Sequence, residues 1–217
     1  MLPSRDPIDL TRPLRSDMPV FPGDPAVRIS PHSTHQADGF AVASLHLGTH
    51  SGTHLDTPFH FLAAGRTLES YPLSRVLGPG VVLDLRSAGR ELDAETVAEA
   101  IEDAGGLRQG DFAVLWTGWD AHFGDELMRE HPYLTPKAAR LLVGARVGLL
   151  GTDAPNVDAS TGDDFPVHPI VLGADVLIVE NLCGLERLGA GRAWFAFVPL
   201  RLVGVDGAPI RALAWKD

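Results

Sequence analysis

Histidine and aspartate side chains are concentrated in one short segment of the chain. Four of the nine histidines lie between positions 46 and 60, namely His46, His50, His54 and His60, and Asp56 lies among them. Any two of these five residues are an even number of positions apart, so an extended backbone would place all five side chains on one face. Catalytic zinc sites offer three nitrogen or oxygen ligands and one open position. The set His50, His54 and Asp56 therefore predicts a metal site, whereas His46 is expected to support it by hydrogen bonding.

The local conformation of this segment follows from its small residues. His50 and His54 could share a helical face, but Gly48, Gly52 and Pro58 disfavour a helix. In a straight strand the two histidines would lie ~13 Å apart, too far for one ion with bonds of ~2.1 Å. We therefore predict a strand followed by a loop, with a bend near Gly52 that brings the two imidazoles together.

A second candidate pair lies far downstream, where His168 and Glu180 flank an apolar run. Glu180 ends a predicted buried strand, and a carboxylate in that position needs a partner. Taken alone, Glu180 is more typical of a helix cap or an ion pair, and His168 of a Pro-flanked surface loop. The pair indicates a functional site only when it is considered together with the histidine cluster.

The surrounding elements predict an α/β fold in one domain spanning residues 1–217. Asp93 is a candidate N-cap for a helix that ends at Gly105, and Thr135 and Pro136 begin a second helix that ends at Gly144. Short apolar runs predict six strands: Val81–Leu85, Phe112–Trp116, Val147–Leu150, Val176–Val179, Trp194–Leu202 and Ile210–Trp215.

Composition excludes several classes of function. The net charge is −10 and there is no run of basic residues, which argues against nucleic acid as a partner. No apolar stretch approaches the ~20 residues that cross a bilayer, so no membrane insertion is expected. Cys183 is the single cysteine, and the first residues lack the pattern of a signal peptide. We therefore expect a cytoplasmic protein.

The cluster also carries a family resemblance. The pattern His50-x-Gly-Thr-His54-x-Asp56-x-Pro58-x-His60 resembles the signature of the cyclase-like metal-dependent hydrolases, which include bacterial kynurenine formamidase. The resemblance extends over nearly the whole chain, through the segments Pro19–Asp24, Thr117–Asp120, His131–Thr135, Gly151–Asp158, Val179–Leu182 and Leu200–Gly204.

The resemblance implies a swivelling β/β/α domain and a site with two divalent ions per subunit. In this family one ion is held by the counterparts of His50, His54 and Asp56. The second is held by those of Asp56, His168 and Glu180, and the glutamate can bridge both ions. His60 takes the place of the general acid/base. Zinc is the preferred metal and manganese the alternative, since such ligands suit both. A homodimer or higher homo-oligomer is implied as well.

The implied reaction is attack of a metal-activated water on an amide of a small aromatic substrate. The first choice is hydrolysis of N-formyl-L-kynurenine to L-kynurenine and formate, a step of tryptophan breakdown. The alternatives are an isatin-type cyclic amide or a lactone, or, in another class, a protein that binds metal without turnover. Where the formamidases carry a substrate-stacking Trp, this chain has Phe21, which keeps an aromatic face but has less area.

Three further features surround the implied site. The stretch Ser160–Asp164 departs from the formamidase pattern and can reshape the pocket. Asp153 and Asp158 border a proline turn and are expected to fix its backbone. Both are less favoured as direct participants in the site.

Overall fold

The computed structural model describes residues 6–162 and 164–216. Four α-helices are present among them: α1 His35–Asp38, α2 Ala94–Asp103, α3 Pro136–Gly144 and α4 Val167–Gly173. The strands are β1 Ile8–Asp9, β2 Arg28–Ser33, β3 Val42–His46, β4 His54–Asp56, β5 Leu77–Asp84, β6 Glu91–Leu92, β7 Phe112–Trp116, β8 Tyr133–Leu134, β9 Leu149–Thr152, β10 Leu177–Glu180, β11 Gly191–Pro199 and β12 Gly207–Lys216.

The main sheet closes on itself. Its strand order is β1-β12-β11-β5-β7-β9-β10-β4, and β4 pairs in addition with β12. The strands β5, β7, β9 and β10 run parallel, whereas β4 is antiparallel to both of its neighbours. The predicted α/β class is confirmed, as a mixed closed sheet with few helices. The short strand β4 completes the closure, so its backbone lies between two partners.

The alternation of side chains along the strands creates two apolar cores. Leu55, Val114 and Val179 belong to a cluster enclosed by the sheet, together with aromatic residues of β11. Their sequence neighbours point outward, and Ala113 and Ile178 pack in a second cluster against α2, α3 and α4. Because successive residues of a strand face opposite sides, residues 54, 56 and 180 share the outer side of the sheet.

The two predicted helices have the predicted caps. The Asp93 side chain accepts a hydrogen bond from Thr96 N, and that of Thr135 from Ala138 N. The strand Phe112–Trp116 has the predicted bounds, whereas β9 and β10 begin at Leu149 and Leu177, after the predicted starts.

The helix α4 was not predicted. His168 lies in its first turn and is buried, which corrects the interpretation of this residue as part of a surface loop. The neighbouring prolines suggested a loop, but the first turn of a helix tolerates proline because its N–H groups need no helical partner. Among the described residues no helix is long and apolar enough to span a membrane.

Candidate metal centre

The histidine-rich segment bends where its sequence predicts. Gly52 has a φ of +65°, in the left-handed region that favours glycine, and the chain then enters β4. A Cβ atom at Gly52 would also lie 2.8 Å from the Leu14 side chain. The prediction of a bend at this glycine is confirmed. His54 and Asp56 follow on the outer side of the closed sheet, and both are buried.

Strand pairing brings Glu180 to the same place. In the antiparallel pair of β10 with β4, Glu180 lies directly opposite His54. His54 Nε2 lies 3.5 Å from Glu180 Oε2 and 3.3 Å from Asp56 Oδ1. The second Glu180 oxygen accepts a hydrogen bond from Val157 N at 2.8 Å. The register of these two strands therefore brings the Glu180 carboxylate to the imidazole nitrogen that Asp56, on the same strand as His54, also approaches.

The helix α4 contributes another imidazole, that of His168. His168 Nε2 lies 3.5 Å from Glu180 Oε1 and 3.8 Å from Asp56 Oδ2. Its other nitrogen, Nδ1, lies 2.7 Å from Asp158 Oδ2. Asp158 also accepts hydrogen bonds from Val167 N and His168 N, so it fixes both the helix start and the ring. His54 has a similar anchor, because its Nδ1 lies 2.8 Å from Gly52 O.

His50 and His60 lie at the open side of the cluster. His50 Nδ1 is 2.8 Å from Asp56 Oδ1, and the ring centroids of His50 and His60 are 4.0 Å apart. Asp206 Oδ2 contacts both rings, at 2.7 Å from His50 Nε2 and 3.2 Å from His60 Nδ1. The cluster thus has a buried part around Asp56 and Glu180 and a more accessible part around His60.

The charges of this cluster are strongly coupled. Burial lowers the pKa of His50, but the Asp56 and Asp206 carboxylates outweigh burial and raise that pKa to about 10. Burial likewise opposes the Asp158 and Asp56 carboxylates at His168, whose pKa is raised to about 10. Burial raises the pKa of Asp56, yet the neighbouring imidazoles hold it well below its ordinary value. The protein without metal therefore holds protons where ligand lone pairs are needed.

The donor set fits a divalent metal. Asp56 Oδ2 is buried and has no hydrogen-bond partner, which is costly unless a cation or donor satisfies it. Ligand atoms of His54, Asp56 and Glu180 lie within 4.8 Å of one another, and so do those of His50, Asp56 and His60. Imidazole and carboxylate ligands are typical of Zn²⁺ and Mn²⁺ sites. Asp56 belongs to both groups, as a ligand shared by two ions would.

A cavity of about 470 Å³ opens onto the cluster. Aromatic rings extend along its wall: Phe61 stacks on His168 at 4.5 Å, and Phe165 contacts both Phe61 and Phe21 edge to face. Arg129 is the only lysine or arginine among the described residues that line the cavity. Its Nη2 donates a hydrogen bond to Ser160 O at 2.6 Å. The cavity thus combines an aromatic wall with one guanidinium group.

The structure brings together all five predicted ligands and His60, and it places Phe21 in the same cavity. His46 lies apart, on the exposed strand β3 opposite Arg28. Asp153 accepts hydrogen bonds from Thr117 and from Gly118 N, so it holds a different turn from the one expected.

The sequence analysis missed Asp206 and the role of Asp158. Asp206 has no motif spacing that relates it to the histidines, and only the pairing of β12 with β4 brings it to them. Asp158 was expected to fix a proline turn, but it binds the His168 ring. Its position ten residues before His168 carried no recognisable signal.

Comparison with known proteins places these features in context. A family model described as "Putative cyclase" matches residues 8–159. The kynurenine formamidase of Salinibacter ruber is 31% identical over 208 residues, which cover 95% of each chain. That of Geobacillus thermodenitrificans is 31% identical over 210 residues, which cover 96% of this chain and 97% of the relative.

Solved structures show a similar fold. Isatin hydrolase A from Labrenzia aggregata has a TM-score of 0.89 at 25% identity, covering 97% of this chain and 93% of its own. A structure described as a potential metal-dependent hydrolase with cyclase activity has a TM-score of 0.82 at 26% identity, covering 98% of both chains. The similarity to relatives and to solved structures therefore extends over nearly the full length.

Proposed function

The chain belongs to the putative cyclase family, and we propose that it hydrolyses N-formyl-L-kynurenine to L-kynurenine and formate. It is a metal-dependent amide hydrolase that acts on a small molecule. The observation that carries the proposal is the arrangement of three imidazoles and the Glu180 carboxylate around Asp56, at the base of a cavity with an aromatic wall.

We infer that two ions bind per subunit. His50, His54 and Asp56 would hold one ion, and Asp56, His168 and Glu180 the other, with Glu180 able to bridge them. Zinc is the preferred metal and manganese the alternative. Bound divalent ions acidify a coordinated water and polarise a carbonyl oxygen. The ligands lie on β4, β10 and α4 and, for His50, in the turn before β4. The closed sheet and the outer core hold these strands and the helix in place.

We infer that His60 moves the proton. It lines the cavity, is partly exposed, and follows Thr57 in a short 3-10 helix at the end of β4. A general base must be within reach of the water that it deprotonates, and it can then protonate the departing amine. His60 also lies close enough to His50 and Asp56 to bind an ion. The two roles differ in their consequences for metal content.

The cavity favours an aromatic substrate that carries a carboxylate group. Phe21, Phe61 and Phe165 offer faces and edges for an aryl ring. Arg129 offers a guanidinium to a carboxylate, which N-formylkynurenine carries and isatin lacks. An isatin-type cyclic amide or a lactone is the second candidate, because isatin hydrolases share the fold.

Two measurements test this proposal. Formate release from N-formylkynurenine, compared with opening of isatin, identifies the substrate, and no release of formate would contradict the first choice. The variant His60→Ala tests the role of His60. If His60 moves the proton, the variant keeps its metal and loses about 10²- to 10⁴-fold in kcat. Loss of one ion from the variant would instead identify His60 as a ligand.

We also propose a homodimer. All five residues of β3 and five of the six in β2 are exposed, and the hairpin carries Ile29, Val42 and Leu45. Phe40, between the two strands, is 55% exposed. Exposed apolar patches of this kind mark interaction surfaces, and a second copy could cover them. Light scattering on the purified protein tests this, and the mass of one protomer would contradict it.

A further inference from the structure

Asp206 is held close to the cluster by its own backbone. Its carbonyl oxygen accepts hydrogen bonds from Thr57 N and Thr57 Oγ1, both at 2.9 Å. Thr57 O in turn accepts the hydrogen bond of His60 N at 2.9 Å. One threonine therefore fixes the backbone of both Asp206 and His60. Because neither contact uses the Asp206 side chain, substitution of that side chain leaves this anchor intact.

The next residue allows the close approach of β12 to the site. A Cβ atom at Gly207 would lie 2.5 Å from Leu55 O and 3.2 Å from His50 Cε1. Any larger residue would push β12 away from β4, and Asp206 with it. The position of the Asp206 carboxylate is therefore built into the fold.

That carboxylate lies against one of the two ring nitrogens of His60. Asp206 Oδ2 lies 3.2 Å from His60 Nδ1, and an ionised carboxylate only accepts hydrogen bonds. A neutral imidazole has one N–H and one lone pair. With Nδ1–H donating to Asp206, the lone pair is on Nε2. Such a lone pair is what a general base uses to accept a proton.

We propose that Asp206 is a positioning residue for hydrolysis, which orients the His60 ring and fixes its Nδ1–H tautomer. This inference rests on the proposed role of His60 as the proton carrier. Asp206 also contacts His50 Nε2 at 2.7 Å, so it could instead act on the metal by orienting a ligand. These two routes make different predictions for metal content and for the dependence on His60.

A double-mutant cycle separates the two routes. The variants are Asp206→Ala, His60→Ala and the double variant, each zinc-loaded and assayed with N-formylkynurenine. The control is Asp103→Ala, at the exposed end of α2. Asp206→Ala is expected to lower kcat about 10- to 100-fold, with KM and zinc content changed less than about twofold. In the His60→Ala background the Asp206→Ala substitution should lower kcat less than about twofold, because the effects of two coupled residues are not additive.

A spectroscopic measurement tests the tautomer without turnover. In the zinc-loaded wild type, at a pH where the ring is neutral, ¹⁵N shifts should identify His60 as the Nδ1–H form. Asp206→Ala should change this assignment, and Asp206→Asn, which keeps the size of the side chain, checks that the effect is not one of folding.

Three results would overturn the proposal. They are a wild-type kcat in Asp206→Ala, an equal fold-loss of kcat on Asp206→Ala substitution with and without His60, and loss of zinc from Asp206→Ala. An inactive wild type would contradict the proposed function as well, whereas an active wild type with any of these results contradicts the role of Asp206 alone.

Discussion

His168 Nε2 lies 3.8 Å from Asp56 Oδ2, although one residue belongs to α4 and the other to β4, far apart in the chain. Asp158 makes this approach possible. It binds the opposite ring nitrogen of His168 at 2.7 Å and accepts the first two backbone N–H groups of α4. Carboxylates in this position orient an imidazole toward a metal.

Asp158→Asn should weaken metal binding. The amide offers a single acceptor oxygen, so His168 loses its fixed orientation, and we expect metal affinity to fall about 10- to 100-fold. Competition with a coloured chelator measures this affinity. Loss of one of the two backbone hydrogen bonds at the start of α4 should also lower the free energy of unfolding by about 1 kcal/mol. Asp103→Asn serves as the control, and unchanged affinity in Asp158→Asn would contradict the role of Asp158.

Metal binding should release protons near neutral pH. The pKa values of His50 and His168 are raised to about 10 without metal, so both rings hold protons that must leave before an ion binds. Because the pKa of His54 is raised as well, we expect at least about two protons released per chain and an affinity that rises as pH increases toward 10. Calorimetry in buffers of different ionisation enthalpy measures the release. Heats that do not depend on the buffer would contradict this prediction.

The same protons stabilise the protein without metal. Because the pKa values of His50 and His168 are raised by folding, their contribution is fully present below the ordinary value of 6.5 and is lost as pH rises through about 10. The melting temperature of the metal-free protein should therefore fall over this range. In the metal-loaded protein the effect should be smaller, because the ions replace the protons.

Phe21 should contribute to substrate binding but not to chemistry. Phe21 is 38% exposed and lines the cavity, and its ring centroid lies 6.1 Å from that of Phe165. Aromatic contacts contribute about 0.5–1.5 kcal/mol, so Phe21→Ala should raise KM for N-formylkynurenine about 2- to 10-fold. Steady-state kinetics should show kcat almost unchanged, and Phe21→Trp should lower KM. Leu73→Ala, at an exposed residue outside this cavity, is the control.

Much of the site could be predicted from local sequence. The ligand types and their even spacing lie in one short segment, and Gly52 is the residue that a bend there requires. The caps of α2 and α3 were predictable for the same reason, since a cap depends on a few neighbouring residues. His168 and Glu180 were assigned by family resemblance, because neither residue has a local signal of its own.

The sequence by itself determined which side chains can bind metal, where the chain bends, and where α2, α3 and the six predicted strands form, because these depend on nearby residues. Only the tertiary structure decided that β4 lies between β10 and β12. That closure places Glu180 opposite His54 and brings Asp206 to His50 and His60. The tertiary structure also decided that Asp158 fixes His168. Such contacts depend on strand register and helix packing, which involve residues from the whole chain and leave no spacing pattern in any one segment.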